Sequence, residues 1–375
     1  MSIDTRSPLA VARRGRILDL LRQQGTVRVS DLTDQLDVTA VTVRRDIALL
    51  ADQGLLRRVH GGATVASDED EPTDVEGGAA RGRPAAHTAL RRIGMLVPSL
   101  DYYWPGVVRG AQEEARSLNL RVTLRGSSYD TDEDRTQIAR LLEGGQVDGL
   151  IVAPNMSAPH AQETVDWLAG CGVPVVLVER EAVTSPHHEP FESVVSDHVT
   201  GAAVAVRHLI DIGHRRIGLV TSAQSPHSAD VHRGWLQANV EAGLSVADGV
   251  DATLGRGPAP ELDPVIDQVL DRCLATGTTA LLVHADVEAI GIAQRCERRG
   301  LDVPGDLSIV AYDDEVAGLF SPPLTAVHPP RTSIGATAVQ LLAARLADPG
   351  RPVHRVVISP TLYVRDSTAP PRGTV

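Results

Sequence analysis

Cysteine is scarce in this chain: Cys171, Cys273 and Cys296 are the whole set, far apart and without a CxxC pair. So sparse and odd a set argues against a disulfide framework and a cysteine-built zinc site, and fits a reducing compartment. Lysine is missing altogether, and all 36 basic residues are arginine, which reads as compositional bias rather than chemistry. No apolar run approaches the roughly 18 residues that span a bilayer. Met1–Leu9 has no apolar core of a signal peptide, so a cytoplasmic protein with no membrane partner is expected. P-loop, GxGxxG, GxSxG and HExxH motifs are all missing, so neither catalytic residues nor a cofactor are expected. The loop Pro186-His187-His188-Glu189 sets potential ligands side by side without an i,i+4 partner, which is a poor cage, and no metal site is expected.

What is present is an ordinary globular balance, 42% hydrophobic and 22% charged, in a chain of 375 residues. That length suits two or three domains. The net charge of -12 seems to disfavour nucleic acid, but residues 1–66 hold ten arginines against seven aspartates, leaving the acidity to the remainder. A basic head on an acidic body suits local phosphate contact with little non-specific binding.

Three zones follow along the chain. Residues 1–66 read as short helices and a Gly-containing hairpin. Residues 67–90, from the acidic run Asp68–Glu71 to Arg81-Gly82-Arg83-Pro84, have the composition of a flexible solvated tether. From Arg91, short apolar strands (Ile93–Val97, Arg121–Leu124, Gly149–Val152, Val173–Val178) alternate with helical stretches, the signature of α/β architecture with parallel sheets. Arg91-Arg92-Ile93-Gly94-Met95-Leu96-Val97 is echoed 124 positions later by Arg215-Arg216-Ile217-Gly218-Leu219-Val220. Two similar lobes are expected, with a ligand crevice at the carboxyl ends of their strands.

In the head, Ile17, Leu20 and Leu21 form one apolar stripe; Ser30 is placed to cap a second helix and Thr39 a third, which Gly54 ends. At about 100° per residue, Val43, Ile47 and Leu50 of the third helix face inward, while Val41, Thr42, Arg44 and Arg45 face out. Arginine, threonine and a small apolar side chain suit base edges and phosphates in the major groove. Leu55–Val65 reads as a hairpin in which Arg57, Arg58 and His60 supply donors, and Gly61 and Gly62 let backbone approach a phosphate. On spacing alone the same arginines also fit a solvated helix face.

The stretch Arg16-Ile17-Leu18…Thr42-Val43-Arg44-Arg45-Asp46…Arg57-Arg58-Val59-His60-Gly61-Gly62-Ala63 resembles the DeoR-family DNA-binding domain, a winged helix-turn-helix. The body does not resemble the usual DeoR body. Val147-Asp148-Gly149-Leu150-Ile151-Val152, His208–Ile217, Gly300–Asp314 and Pro322–Val327 resemble the effector domain of LacI/GalR regulators, a relative of periplasmic sugar-binding proteins. The resemblance implies an effector and dimerisation domain over 91–367. Lobe 1 would comprise about 91–193 and 327–349, lobe 2 about 194–326 and 350–367, with 368–375 as a tail.

It also implies an effector site. Asp101, Tyr103 and Trp104 stand where the family has Asn-Pro-aromatic-aromatic, and aromatic faces there can stack on a sugar ring. Glu179-Arg180 takes the place of an Asp-Arg pair, and Asp313 that of a hydroxyl-binding carboxylate. The family's Asn-Asp is Ala285-Asp286 here, and the expected arginine is Val231, for which Arg233 beside Gly234-Trp235 either substitutes or points away. The expected function is a DNA-binding regulator, a repressor, that binds operator DNA as a homodimer or higher homo-oligomer under control of a small-molecule effector, most simply a carbohydrate. The alternative is a cytoplasmic sugar-binding or sugar-processing protein. The family's short hinge helix is replaced by the acidic tether.

Overall fold

The computed structural model describes residues 16–17, 20–21, 25–36, 43, 47, 50, 56–59, 62–64, 91–100, 102–127, 131–143, 147–223, 225–255 and 259–372. The chain divides into two units, Met1–His87 and Thr88–Val375. The tether expected over 67–90 lies outside the described residues.

In the first unit β1 (Thr26–Arg28) leads into α1 (Val29–Leu36), and β2 (Arg57–Val59) pairs antiparallel with β3 (Gly62–Thr64). β3 also pairs with β1, giving a three-stranded sheet in the order β1-β3-β2. The strand at 26–28 was not foreseen; Val27 supplies its one buried residue. The helix starts at Val29, so Ser30 lies inside it rather than ahead of it. Ile17, Leu20, Leu21, Val27, Leu32, Leu36, Val43, Ile47, Leu50 and Leu56 close the core of this unit.

The second unit is two α/β lobes. Lobe 1 holds β4 (Arg92–Val97), α2 (Trp104–Ser117), β5 (Arg121–Gly126), α3 (Thr131–Leu142), β6 (Gly149–Val152), α4 (Ala161–Ala169), β7 (Val175–Val178) and β8 (Glu192–Ser196). Lobe 2 holds α5 (His198–Asp211), β9 (Ile217–Ser222), α6 (Ser228–Glu241), β10 (Asp251–Leu254), α7 (Ala259–Thr276), β11 (Ala280–Val283), α8 (Asp286–Arg298), β12 (Ser308–Tyr312) and β13 (Thr325–His328). The chain then returns to lobe 1 as α9 (Arg331–Ala347) and β14 (Arg355–Ile358), and ends in lobe 2 with β15 (Thr361–Tyr363).

Strand order is β14-β8-β7-β6-β4-β5 in lobe 1 and β10-β9-β11-β12-β13-β15 in lobe 2. Every pairing is parallel except β13 with β15. Central strands such as GLIV and ALLV are buried along their whole length, because helices cover both faces of a parallel sheet. The third crossing between lobes falls after Ile358, later than the Pro349 expected from sequence. The reason is β14, whose residues Arg355–Ile358 pair with Ser193–Ser196 and so extend the lobe 1 sheet.

Two close backbone contacts fix the crossing of α2 and α9 in lobe 1. A Cβ on Gly335 of α9 would lie 1.9 Å from the Val107 carbonyl, and one on Gly110 of α2 would lie 2.0 Å from the Thr332 carbonyl. Only glycine lets these two backbones approach so closely. Of the tail expected over 368–375, residues 368–372 are described and dock on lobe 2. Arg372 pairs with Asp302 and Asp306 at 2.6 and 2.7 Å, and buried His214 lies 2.9 Å from the Ala369 carbonyl. No helix among the described residues is long and apolar enough to cross a membrane.

Candidate functional site

The carboxyl ends of the strands in both lobes face a cavity of about 320 Å3. Lobe 1 contributes Tyr102, Tyr103 and Trp104, from the turn that follows β4, and Arg180 after β7. Lobe 2 contributes Ser222 at the end of β9, Ser225, Pro226 and His227 between β9 and α6, His284 after β11, and Asp313 after β12.

Trp104 is buried and also belongs to the lobe 1 core; its ring meets Tyr103 edge-on at 5.7 Å. The Tyr103 hydroxyl donates to Glu179, and the Arg331 guanidinium lies 5.7 Å over its ring. Glu179 is buried at a positive φ of 54° and accepts both the Ser196 amide at 3.0 Å and the Ser196 hydroxyl at 2.7 Å. Burial works against its charge, but the imidazoles of His198 and His227 and the Ser196 amide outweigh it and hold the carboxyl down at about 2. Arg180 is buried too, its Nε donating to the Pro154 carbonyl at 3.0 Å and its Nη1 to the Glu179 carbonyl at 2.6 Å.

Asp313 lines the cavity at a positive φ of 92°, and burial, aided by the charge of Asp286, pushes its carboxyl well above the usual range. Asp286 has a different task. Fully buried at the first position of α8, it accepts the backbone amides of Asp314, Glu315, Val316 and Ala317 at 3.1, 2.7, 2.8 and 3.0 Å. Its acceptor capacity is spent on the loop that presents Asp313, so it positions that residue and is not itself among the cavity-lining side chains.

Glu179, like Asp286, is not among the residues lining this cavity, and Trp235 and Arg233, also proposed for the site from sequence, lie elsewhere too. Trp235 is 2% exposed in the core of lobe 2, and its indole N–H donates to the Ile217 carbonyl at 3.0 Å. Arg233 is exposed, pairs with Asp230 at 2.5 Å, and borders a second cavity of about 350 Å3 rather than the first. Asp101 lies outside the described residues. Sequence reasoning missed His227 and His284. The 124-residue repeat offset that relates Arg91 to Arg215 also carries Tyr103 onto His227, and that signal could have found it.

In the first unit, Val43, Ile47 and Leu50 are buried, as the helical wheel requires. The backbone of Arg57 and Arg58 lies in β2, Gly62 opens β3, and Ser30 sits in α1. Thr39, Val41, Thr42, Arg44, Arg45, His60 and Gly61 lie outside the described residues.

Residues 13–69 match a model of the DeoR-like helix-turn-helix domain, and residues 206–368 match one of the periplasmic binding protein-like domain. Catabolite control protein A of Priestia megaterium is 31% identical over 271 residues, covering 70% of this chain and 76% of that protein. The arabinose metabolism transcriptional repressor of Geobacillus stearothermophilus is 26% identical over 350 residues, covering 90% of each. The crystal structure of a LacI-family regulatory protein from Chloroflexus aggregans superposes with a TM-score of 0.64 at 26% identity, covering 74% of this chain and 98% of that one. Like these relatives the chain is a regulator of transcription and not an enzyme. With a DeoR-like helix-turn-helix at one end and a two-lobed effector body at the other, it belongs to the LacI/GalR family.

Proposed function

We propose that this chain is a repressor that binds operator DNA as a homodimer, through residues 1–66, and releases or grips it according to a sugar held between the lobes of residues 91–367. The observation that carries the ligand reading is the pairing of an aromatic wall, Tyr102 to Trp104, with a carboxyl group, Asp313, from the opposite lobe in one cavity. Aromatic faces cover the apolar side of a sugar ring, and a buried carboxyl with a raised pKa can both donate and accept hydrogen bonds to hydroxyls. The arabinose repressor among the relatives points to the same ligand class.

A ligand that touches both lobes favours whichever lobe arrangement makes more of those contacts. DNA affinity then changes by no more than the ligand's differential affinity for the two arrangements. In the head, Thr42, Arg44 and Arg45 would read base edges, and Arg57, Arg58 and His60 the phosphates, with Val41 against a thymine methyl. Two-fold pairing of the bodies would place two heads on a two-fold operator. A thermal-shift screen of mono- and oligosaccharides tests the cavity: a ligand at 100 times its Kd should add about 2.7 kcal/mol. No stabilisation by any sugar would overturn the ligand class.

A further inference from the structure

Glu179, His198 and His227 bring a carboxylate oxygen and two imidazole nitrogens within 4.8 Å of one another. They arrive from three places: the end of β7 in lobe 1, the first turn of α5 just past the first crossing, and the turn ahead of α6. We propose that these three side chains bind a divalent transition-metal ion, with Zn2+ the best chemical match, and so tie lobe 1 to lobe 2 beside the effector cavity.

The strongest observation is His198. Its ring is buried, its Nδ1 lies 3.1 Å from the Tyr312 hydroxyl oxygen, and that hydroxyl donates to the His198 carbonyl at 3.4 Å. A hydroxyl that gives its proton to a carbonyl accepts from Nδ1–H, which leaves Nε2 with a lone pair. That Nε2 is buried without a hydrogen-bond partner and faces Glu179 Oε2 at 3.7 Å, beyond hydrogen-bond reach. Glu179 Oε2 and an unprotonated Nε2 need a cation between them, either the proton through which His198 holds the Glu179 carboxyl low or a metal ion.

The surroundings fit a ligand set. Ser196 and Tyr103 hold the Glu179 carboxylate, and Tyr312 holds the His198 ring, the outer hydrogen bonds that orient metal ligands. His227 stacks on His198 with ring centroids 4.1 Å apart and planes 25° apart, and one of its nitrogens lies within 4.8 Å of the other two ligand atoms. Two imidazoles and one carboxylate form the borderline nitrogen and oxygen set that Zn2+ favours, whereas Ca2+ and Mg2+ take oxygen alone. Ligation at about 2.0–2.1 Å requires the three side chains to close in and the stacked rings to turn towards one point. The contact it would displace is the long one, 3.4 Å, between Arg180 Nη1 and His227 Nε2. No sequence motif announces the set, because the fold alone joins positions 179, 198 and 227.

The test is a titration of the metal-stripped full-length chain with CoCl2, followed by visible absorption, and it requires neither sugar nor DNA. Wild type should develop the absorption bands of Co2+ in a low-symmetry site, saturating at one ion per chain, and Zn2+ should abolish them. His198→Ala and His227→Ala should each weaken binding at least roughly a hundredfold, more than the loss of an outer-shell partner costs. His227 lies on a half-buried turn, so His227→Ala gives the decisive reading if His198→Ala does not fold. His232→Ala, at an exposed histidine paired with Asp251, should bind as wild type does. If wild type develops no bands, a proton and not a metal bridges His198 and Glu179, and the proposal is overturned. Bands that persist in His227→Ala overturn it equally.

Discussion

Asp286, at the first position of α8, holds Glu315 in the loop after β12, its Oδ2 accepting the Glu315 amide at 2.7 Å, and the same carboxylate holds the neighbouring amides of Asp314, Val316 and Ala317. One buried side chain thus fixes the course of the loop that carries Asp313. Asp286→Ala leaves four amides without their acceptor, one of them buried and three half-buried, and a buried one costs about 1–3 kcal/mol. We expect a loss of at least about 3 kcal/mol in denaturant unfolding. Asp286→Asn, which keeps an acceptor oxygen, should lose less. Effector affinity should fall in both, although Asp286 does not line the cavity. Unchanged stability in Asp286→Ala would contradict this role.

Trp235 separates a core residue from a ligand contact. Trp235→Phe removes the indole bond to the Ile217 carbonyl and part of a packed ring. The expected cost is about 1–3 kcal/mol of stability. Isothermal titration should show effector affinity within about twofold of wild type, since additive sites far from the ligand do not couple. A stable protein that no longer binds effector would return Trp235 to the site.

Gly335→Ala tests the crossing of α2 and α9. The new methyl would meet the Val107 carbonyl at 1.9 Å, and backbone cannot yield as a flexible side chain does. A destabilisation of about 1–3 kcal/mol or more is expected from thermal unfolding. Gly172→Ala, at a loop position with open space but a φ of +86°, should lose less.

Acid should weaken the fold before its carboxylates titrate. Burial holds His284 down at about 3, against an ordinary value near 6.5, so between those values the unfolded chain binds a proton that the native chain does not. Stability therefore falls as pH drops through about 6.5 and continues to fall towards 3. Glu179 acts in a lower window: its stabilising charge is fully present above about 4.5 and is lost as pH falls towards 2. Between pH 6.5 and 5 the histidine alone of this pair contributes. In chelator-treated protein, His284→Gln should flatten the dependence of Tm on pH across that interval; an unchanged slope would contradict the assignment.

The architecture was legible because parallel strands buried on both faces read as unbroken apolar runs, and Gly149–Val152 sits where such a run predicted. The inward face of the head's third helix followed from spacing alone, through Val43, Ile47 and Leu50. What sequence could not resolve was the direction of side chains near the cavity. Asp286, Asp313 and His227 follow strand ends and Trp235 lies on the helix after β9, yet Asp286 faces backbone amides, Asp313 the cavity, Trp235 the core and His227 the opposite lobe. Their difference arises from loop geometry: the positive φ at Asp313 and Glu179 turns each side chain against the local run of the chain. The edge strand β14 was likewise misplaced, since its alternating RVVI pattern does not say which of two similar sheets it joins.

The central claim is that a ligand between the lobes controls DNA binding by the head. The most direct measurement is the Kd of the full-length chain for DNA from its own upstream region, across a salt series, with and without a sugar that raises Tm. The account predicts that log affinity falls steeply with log salt, that the sugar shifts Kd about 5–150-fold, and that Asp313→Ala keeps the DNA affinity but loses the shift. DNA affinity that ignores a ligand bound in the cavity, or that persists at high salt without regard to sequence, would contradict it.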